Sequence, residues 1–593
     1  TQVQDPSGDS QYQYNALGQI SQKDYHISGV NYQTKNHHNP IGELTAVTYP
    51  SGRTVVLERN AIGQIKSLST QRYNGAIPQS VVNNLAYAAT GSLQSMNYGN
   101  GASLLIDRDL DTRIRQIKVA NTANDQSFYH REYQYDEASN ITAIADRLNT
   151  QKSQQFSYDN LYRLVDAKGS YGHLQYQYDS VGNRLSRSFS AVHKEAANDT
   201  LEALVETYGY AQDSNRLITV EKHSADNTTN KRILSYDPVG NTTNDSRNAE
   251  HSLGLIYGAN NRLKQVANHD QQRSLSTYHY NAKGQRVSKL VVRTDGSTKT
   301  VHFHYNQFDQ MIAETDYQGV VLEEYLYVDG QRVASVDYGS DKKGALAYIH
   351  NDHLGTPQLM TDKAGTVVWQ SNTLPFGEEI KAANNTWMNL KFPGQYLDQE
   401  TGYSQNYFRD YDASLGRYIQ SDPIGLLGGV NTFVYVGGSP MGGYDTTGLL
   451  EWKGSATSFG ATVYVGLTYT NYQLTSEWVE NRRAHISVNA VGPAIGFGAI
   501  WGVSTSGIVF QDSLNYIEPE VFNGSYENLG AGWTVPFGPG RGATATNMGK
   551  AGSANQGMID LGIEASITFT VGNSEAYNII YETRIPSVNR DCE

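Results

Sequence analysis

One short unit recurs along the first half of the chain and constrains its fold more than any other feature. It consists of two aromatic residues separated by one residue, then Asp or Asn, a variable stretch, Gly or Asn, and an aliphatic residue. Because the Asp or Asn can hydrogen-bond its own turn and the later Gly or Asn tolerates positive φ, each copy predicts strand, tight turn, strand. The copies are YQYNALGQI at Tyr12, YQYDEASNI at Tyr133, FSYDNLYRL at Phe156, YQYDSVGNRL at Tyr176, YGYAQDSNRL at Tyr208, SYDPVGN at Ser235, YHYNAKGQRV at Tyr278 and the weaker HYNQFDQMI at His304.

The spacing of the second aromatic residue predicts one hairpin per repeat. From Tyr135 to Tyr305 successive positions lie 20 to 32 residues apart. A single hairpin is marginally stable, so we expect the units to stack into one long curved sheet. The 42 Tyr against 15 Phe suit such a sheet, since a tyrosine packs one face while its hydroxyl reaches water or a backbone group. These positions are Tyr135, Tyr158, Tyr178, Tyr210, Tyr236, Tyr257, Tyr280 and Tyr305.

Composition excludes several classes of protein. The net charge of −13 argues against a mainly electrostatic grip on nucleic acid, which requires a basic surface. Cys592 is the only cysteine, so an intrachain disulfide and a multi-cysteine zinc site are excluded. The sequence starts at Thr1 with no signal-peptide pattern in view, and we expect a fragment or processed product.

The repeats resemble the YD-repeat family, which includes bacterial Rhs proteins, the C component of Tc toxins and the teneurins. Residues 348–449 further resemble the Rhs-associated core domain. The resemblance implies an all-β fold in which a spiral β-sheet shell (1–347) leads into a core with an autoprotease (348–449), followed by a small β-rich effector (450–593). The matching core motifs are HLGTP from His353, FPGQ from Phe392, ETG from Glu400, RDYD from Arg409, GRY from Gly416 and DPIG from Asp422.

The same resemblance implies an aspartyl autoprotease whose carboxylates are Asp422 and Asp445, 23 residues apart, and a cut at Leu449-Leu450. Two neighbouring carboxylates share a proton, so that one serves as base and the other as acid. Such a site requires no metal and no cofactor. Arg417 is a possible support for the Asp422 carboxylate, although an arginine beside an acidic turn is more often structural.

Other interpretations of these residues stay open. Asp in Asp-Pro-x-Gly is a common turn former whose side chain caps its own backbone. The sequence also departs from the family pattern, with Thr446 in place of Pro after Asp445 and Ser439 in place of Asn before Pro440. A metal site at His350 and His353 is disfavoured against buried core histidines, because Asp352 is the only further ligand nearby.

The final 144 residues, 450–593, differ from the repeats in composition. They hold 13 acidic and 7 basic residues, and the resulting net charge of −6 is unusual for a nuclease. His485 is their single histidine. Residues 484–511 lack charges, and we favour buried strands over a hairpin that inserts into a membrane. A weaker alternative is an ADP-ribosyltransferase built from Arg482 or Arg483, Ser504-Thr505-Ser506 and Glu518, Glu520 or Glu582.

These features predict a secreted two-part effector of the kind used in interbacterial competition, delivered into target cells by a type VI secretion spike or a Tc-like carrier. The β-shell encapsulates its own C-terminal toxin domain, autoproteolysis detaches it, and a cognate immunity protein protects the producer. We expect no nucleic acid to bind the shell, whereas membrane contact of the toxin stays open. The alternative from another class is a cell-surface adhesion or carbohydrate-binding protein.

Overall fold

The structure is a computed structural model. It describes residues 2–448 except 74, 90, 191–203, 225, 227, 249–250, 269–272, 340–342 and 381–387. Between 451 and 583 it describes the backbone of the strands. Contacts divide the chain into two compact units. One comprises the residues up to Ser421 together with Phe433–Gly448, and the other comprises Asp422–Thr432 and the strands beyond residue 450.

Strands dominate the described part of both units. Three short 3-10 helices accompany them at Thr150–Lys152, Gly425–Gly428 and Val436–Gly438. The strands of the first unit are β1 (Gln2–Asp5), β2 (Gly8–Tyr14), β3 (Ile20–Ile27), β4 (Val30–His38), β5 (Leu44–Thr48), β6 (Thr54–Arg59), β7 (Ile65–Gln71), β8 (Gln79–Tyr87), β9 (Leu93–Tyr98), β10 (Ala102–Arg108), β11 (Ile114–Asn121), β12 (Ser127–Tyr135), β13 (Ile141–Asp146), β14 (Gln154–Tyr158), β15 (Leu164–Gly169), β16 (Gly172–Tyr178), β17 (Arg184–Ser190), β18 (Leu204–Tyr210), β19 (Leu217–Ser224), β20 (Thr229–Tyr236), β21 (Thr242–Asn248), β22 (His251–Tyr257), β23 (Leu263–Asn268), β24 (Arg273–Tyr280), β25 (Arg286–Val292), β26 (Thr298–Tyr305), β27 (Met311–Asp316), β28 (Val321–Val328), β29 (Gln331–Asp337), β30 (Ala345–Asn351), β31 (Pro357–Thr361), β32 (Val367–Gln370), β33 (Gln395–Asp398), β34 (Tyr403–Asn406), β35 (Arg409–Asp412) and β36 (Arg417–Tyr418).

The first 32 strands form a single antiparallel meander. Each strand pairs with the next one along the chain, as β1 does with β2 and β31 with β32. The predicted all-β fold with one long repeat sheet is therefore confirmed. The sheet continues without interruption to Gln370, past the boundary predicted after residue 347, and that domain boundary stays a prediction.

The turn chemistry follows the repeat pattern. Each of the eight second aromatic residues is the last residue of the first strand of its hairpin. In a typical turn, the Asp179 carboxylate accepts hydrogen bonds from the N–H groups of Val181 and Asn183, at 3.0 and 2.8 Å. The fourth turn position has positive φ, as at Gly182. Tyr162 also takes this conformation, with φ of 61°, so the position is not restricted to Gly or Asn.

The second tyrosine of the repeat also links neighbouring hairpins. In most copies its hydroxyl donates to the carbonyl of the first residue of the preceding return strand, at 2.7 to 2.9 Å. This hydrogen bond explains why the repeat prefers tyrosine to phenylalanine here. The described pairs are Tyr87 to Ile65, Tyr135 to Ile114, Tyr158 to Ile141, Tyr210 to Arg184, Tyr280 to Leu263, Tyr305 to Arg286 and Tyr327 to Met311.

We expect Tyr158→Phe to destabilise the sheet by about 1 kcal/mol, because the Ile141 carbonyl loses its phenol donor. Tyr257→Phe is the matched control, since the buried Tyr257 hydroxyl makes no hydrogen bond in the described structure. Urea denaturation of the full chain would compare the two midpoints. A midpoint for Tyr257→Phe as low as that for Tyr158→Phe would contradict a role for the hydrogen bond.

The first ten strands also contact strands near the end of the meander. These contacts join residues 242 to 285 positions apart, so the sheet returns onto its own beginning. We call this contact the seam. Its hydrogen bonds and ion pairs include Tyr25 to His304, Tyr32 to His302, Asn36 to Gln307, Tyr49 to the Tyr325 carbonyl, Arg53 to Glu324, Tyr98 to the Ile349 carbonyl and Asn100 to Thr361.

Strands of the second unit form a separate six-stranded antiparallel sheet. The charge-free segment 484–511 lies within the second strand, so its backbone is extended throughout; its side-chain burial is outside what the structure describes. Among the described residues, no helix has the length and apolar character needed to cross a bilayer. The strands are β37 (Glu451–Ser476), β38 (Arg482–Gln511), β39 (Gly524–Trp533), β40 (Pro539–Met548), β41 (Gly552–Gly562) and β42 (Ser566–Thr583).

Candidate functional site

The four-stranded sheet β33–β36 carries the first half of the candidate site. All residues of β34 and β35 are buried. The following chain lies close against this sheet, because a Cβ atom on Gly394, whose φ is +89°, would collide with the Thr446 carbonyl oxygen. The N–H of Phe408 donates to the Thr447 carbonyl at 3.1 Å. Residues 445–448 are thereby fixed on the sheet.

Asp445 sits at the start of this fixed segment, with a side chain that is 13% exposed. Its Oδ1 accepts hydrogen bonds from the N–H groups of Thr447 and Gly448, at 3.1 and 2.5 Å. Its Oδ2 accepts one from the Tyr418 hydroxyl at 2.7 Å and lies 3.5 Å from an Arg409 guanidinium nitrogen. All these groups are donors, so both carboxylate oxygens of Asp445 act as acceptors.

Tyr418 is itself tightly held. Arg409 stacks on its ring, with the guanidinium carbon 3.7 Å from the ring centre. The Asn406 side-chain amide donates to the Tyr418 hydroxyl at 2.8 Å and to the Asp445 carbonyl at 2.9 Å. Burial, reinforced by the Asp445 charge, raises the pKa of Tyr418 well above its usual value, so the phenol keeps its proton.

Asp422 lies in the second unit, in the segment Asp422–Thr432. It is buried, and its N–H donates to the Thr432 carbonyl at 2.8 Å. Its carboxylate accepts a hydrogen bond from the Ile424 N–H at 3.1 Å, and Gly425 adopts φ of +63°. Asp422 and Asp445 thus both cap their own turns, which fits the turn-former interpretation and leaves the catalytic one open.

The pairing of the two aspartates stays a prediction, because Asp422 and Asp445 belong to different compact units. The predicted cleavage site, Leu449-Leu450, lies outside the described residues.

Arg417 is anchored in the first unit. Its guanidinium donates to the Asn215 carbonyl at 2.6 Å and stacks on the Phe433 ring, 4.7 Å from the ring centre. These contacts hold the Arg417 side chain within the first unit. The support of Asp422 by Arg417 stays a prediction.

Asp410 is a carboxyl group to which the sequence analysis gave no role. It is buried in β35, its Oδ2 accepts a hydrogen bond from the Gln420 amide at 2.5 Å, and its Oδ1 makes none in the described structure. Burial raises the pKa of Asp410 to about 6, so it can hold a proton near neutral pH. The RDYD motif contained this residue, but burial of an aspartate is not readable from the motif.

The histidines considered as metal ligands have other partners. His350 is fully buried and shares a hydrogen bond of 2.9 Å with the Thr361 hydroxyl, and His353 contacts the Met441 carbonyl at 2.9 Å. Within the described part of the chain, no three His, Cys, Asp or Glu side chains are arranged to hold a metal ion.

The sequence is similar to known toxins. The family model described as "RHS protein" matches residues 346–382. The chain is 30% identical to double-stranded DNA deaminase toxin A of Burkholderia cenocepacia, over 54% of this chain and 22% of the relative. It is 26% identical to toxin protein Tse5 of Pseudomonas aeruginosa (57% and 28%) and 25% identical to toxin subunit YenC1 of Yersinia entomophaga (70% and 47%). The chain thus spans less than half the length of these relatives.

The fold is similar to solved Tc toxin structures. The crystal structure of TcdB2-TccC3 superposes with a TM-score of 0.59 at 17% identity, covering 75% of this chain and 24% of that one. The Tc holotoxin pore of Photorhabdus luminescens gives the same TM-score at 16% identity, with 76% and 24% covered. At this level of identity the likeness concerns the fold alone.

Proposed function

The chain is a member of the Rhs/YD-repeat toxin family, and we propose that it is a toxin shell whose core cuts itself to release residues 450–593 as an effector. One observation carries the proposal. The Asp445 carboxylate is clamped by the N–H groups of Thr447 and Gly448, and the next residue is Leu449, at the proposed cut. A carboxylate is thus held within a few residues of the bond, at high effective concentration.

The proposed reaction is hydrolysis by two carboxyl groups. The ionised carboxylate takes a proton from a water molecule, whose oxygen then adds to the Leu449 carbonyl carbon. The protonated partner polarises that carbonyl and gives its proton to the Leu450 nitrogen as the C–N bond breaks. One water molecule is consumed, and a new carboxyl group and a new amine are formed. We assign these roles to Asp445 and Asp422.

The relatives differ in their named activities. This difference supports a toxin in which a variable effector domain follows a common shell. Their names are double-stranded DNA deaminase toxin, probable deoxyribonuclease in Dickeya dadantii, and tRNA-specific nuclease in Bacillus spizizenii. Residues 450–593 have a net charge of −6, whereas a typical nucleic-acid enzyme is basic. We therefore assign the release step to this chain and transfer none of these activities to it.

Delivery and protection follow from the same proposal. A toxin subunit in Yersinia entomophaga and toxin Tse5 are among the relatives, which supports secretion and transfer into a target cell by a spike or carrier. A cell that makes such an effector requires an immunity protein against it. The partner proteins would contact the shell and the released domain respectively.

The proposal is tested on the purified full chain. We expect wild type to yield two fragments that meet at Leu449-Leu450, and Asp422→Asn and Asp445→Asn to stay intact, since each loses a carboxyl group needed for proton transfer. Denaturing gels and intact-mass spectrometry would identify the fragments and their ends.

Asp237→Asn is the matched control. Asp237 stands in the motif Asp-Pro-Val-Gly, the same turn pattern as at Asp422, and its carboxylate likewise caps the backbone of its turn. Asparagine fills this turn position in other repeats, for example Asn281. We expect Asp237→Asn to cleave like wild type. One uncut chain in all samples would reduce both aspartates to turn formers.

A further inference from the structure

The O–H bond of Tyr418 has a defined orientation. Its oxygen accepts a hydrogen bond from the Asn406 amide at 2.8 Å, and its single proton is therefore available for the Asp445 Oδ2 at 2.7 Å. The same amide group donates to the Asp445 carbonyl at 2.9 Å, so one side chain fixes both the phenol and the backbone of the aspartate.

The two oxygens of Asp445 thus have different partners. Backbone N–H groups bind Oδ1, whereas the Tyr418 phenol binds Oδ2 and the Arg409 guanidinium lies beside it. Burial raises the pKa of the Tyr418 phenol well above its usual value, so the phenol keeps its proton and donates it to Oδ2. The Asp445 carboxylate is therefore held in one orientation.

We propose that Tyr418 is a positioning residue for self-cleavage, which orients the Asp445 carboxylate as the base. This role rests on the proposed function. In the reaction, the water proton passes to Asp445, the hydroxyl adds to the Leu449 carbonyl carbon, and the proton of Asp422 goes to the leaving Leu450 nitrogen. Tyr418 neither gains nor loses a proton.

Tyr418→Phe tests this role in the full chain. We expect cleavage to slow at least about 10-fold, since a hydrogen bond to a charged group is lost. We expect this loss in rate and not in folding, so the urea midpoint of Tyr418→Phe should equal that of a variant that loses another buried phenol. The rate of fragment formation would be followed on gels.

Tyr411→Phe is the control for loss of a buried phenol. Tyr411 is equally buried beside Tyr418, with ring centres 5.8 Å apart, and its hydroxyl donates to the Phe376 carbonyl instead. We expect Tyr411→Phe to cleave at the wild-type rate, with a urea midpoint equal to that of Tyr418→Phe. If Tyr418→Phe cleaves at the wild-type rate, or if Tyr411→Phe is slowed as much, the positioning role is overturned while the proposed function stands. If wild type does not cleave, both are overturned.

Discussion

Replacing Arg286 by methionine is expected to destabilise the fold by about 3–5 kcal/mol, the usual cost of removing one partner from a buried ion pair. Arg286 and Asp398 are each only 1% exposed. The guanidinium binds both carboxylate oxygens, at 2.5 and 3.1 Å, and joins the repeat sheet to the four-stranded sheet. Methionine keeps most of the packing volume, so the loss of stability comes mainly from the uncompensated charge of Asp398.

Neighbouring groups cannot replace Arg286. Lys289 binds the same carboxylate at 2.8 Å and also Glu400 at 3.3 Å, so its single charge would serve two acids. Burial alone would raise the pKa of Asp398, but Arg286 and Lys289 outweigh it and hold that pKa below its usual value. Without Arg286 the carboxylate must either stay charged in an apolar site or take up a proton.

The urea midpoint of the full chain measures this effect. Arg115→Met is the matched control, because Arg115 pairs with Asp107 on the surface, where its side chain is 64% exposed. Exposed ion pairs contribute little, and we expect its midpoint to equal that of wild type. Equal midpoints for Arg286→Met and Arg115→Met would mean that the buried pair adds nothing to stability.

The repeat sheet could be predicted because its signals are local. The aromatic pair marks the end of a strand, and the following Asp or Asn binds the N–H groups of its own turn, as Asp179 does. Both features recur within a few residues, so the hairpins and their order follow from the pattern. The positive φ of Tyr162 shows that the turn geometry persists even where the preferred residue is absent.

The seam and the core could not be predicted in the same way. Tyr25 meets His304 across 279 residues, and Arg286 meets Asp398 across 112, and neither pair leaves a periodic trace in the sequence. The site was found through its motifs, yet the clamp on Asp445 by Tyr418 depends on how the sheet β33–β36 folds back. Burial of Asp410 likewise depends on packing and not on its neighbours in sequence.

The stability of the seam is expected to fall on acidification, and His350→Gln is expected to reduce this fall by about 2 kcal/mol between pH 7 and pH 5. His350 is fully buried, and burial lowers its pKa to about 3, whereas an unfolded histidine titrates near 6.5. Below about pH 6.5 the unfolded chain therefore binds a proton that the folded chain does not. Folding loses stability as the pH falls, until the folded pKa is reached.

The effect should concentrate at the seam, because three fully buried histidines lie there. Burial lowers the pKa of His302 to about 4 and that of His304 well below its usual value. Each ring contacts a tyrosine of the first strands: His302 with Tyr32, His304 with Tyr25, and His350 edge-to-face with Tyr98. Acid thus acts where the meander meets its own beginning.

Hydrogen exchange of peptides from β30, corrected for the intrinsic rate at each pH, measures the local opening free energy at pH 7 and pH 5. Glutamine cannot be protonated, so His350→Gln weakens the seam at both pH values by lost ring packing but removes the titration itself. His26→Gln is the control, because His26 is exposed in β3. The same pH dependence in wild type and His350→Gln would exclude His350 as a source of acid sensitivity, whereas a smaller dependence in His350→Gln alone would place that sensitivity in the seam.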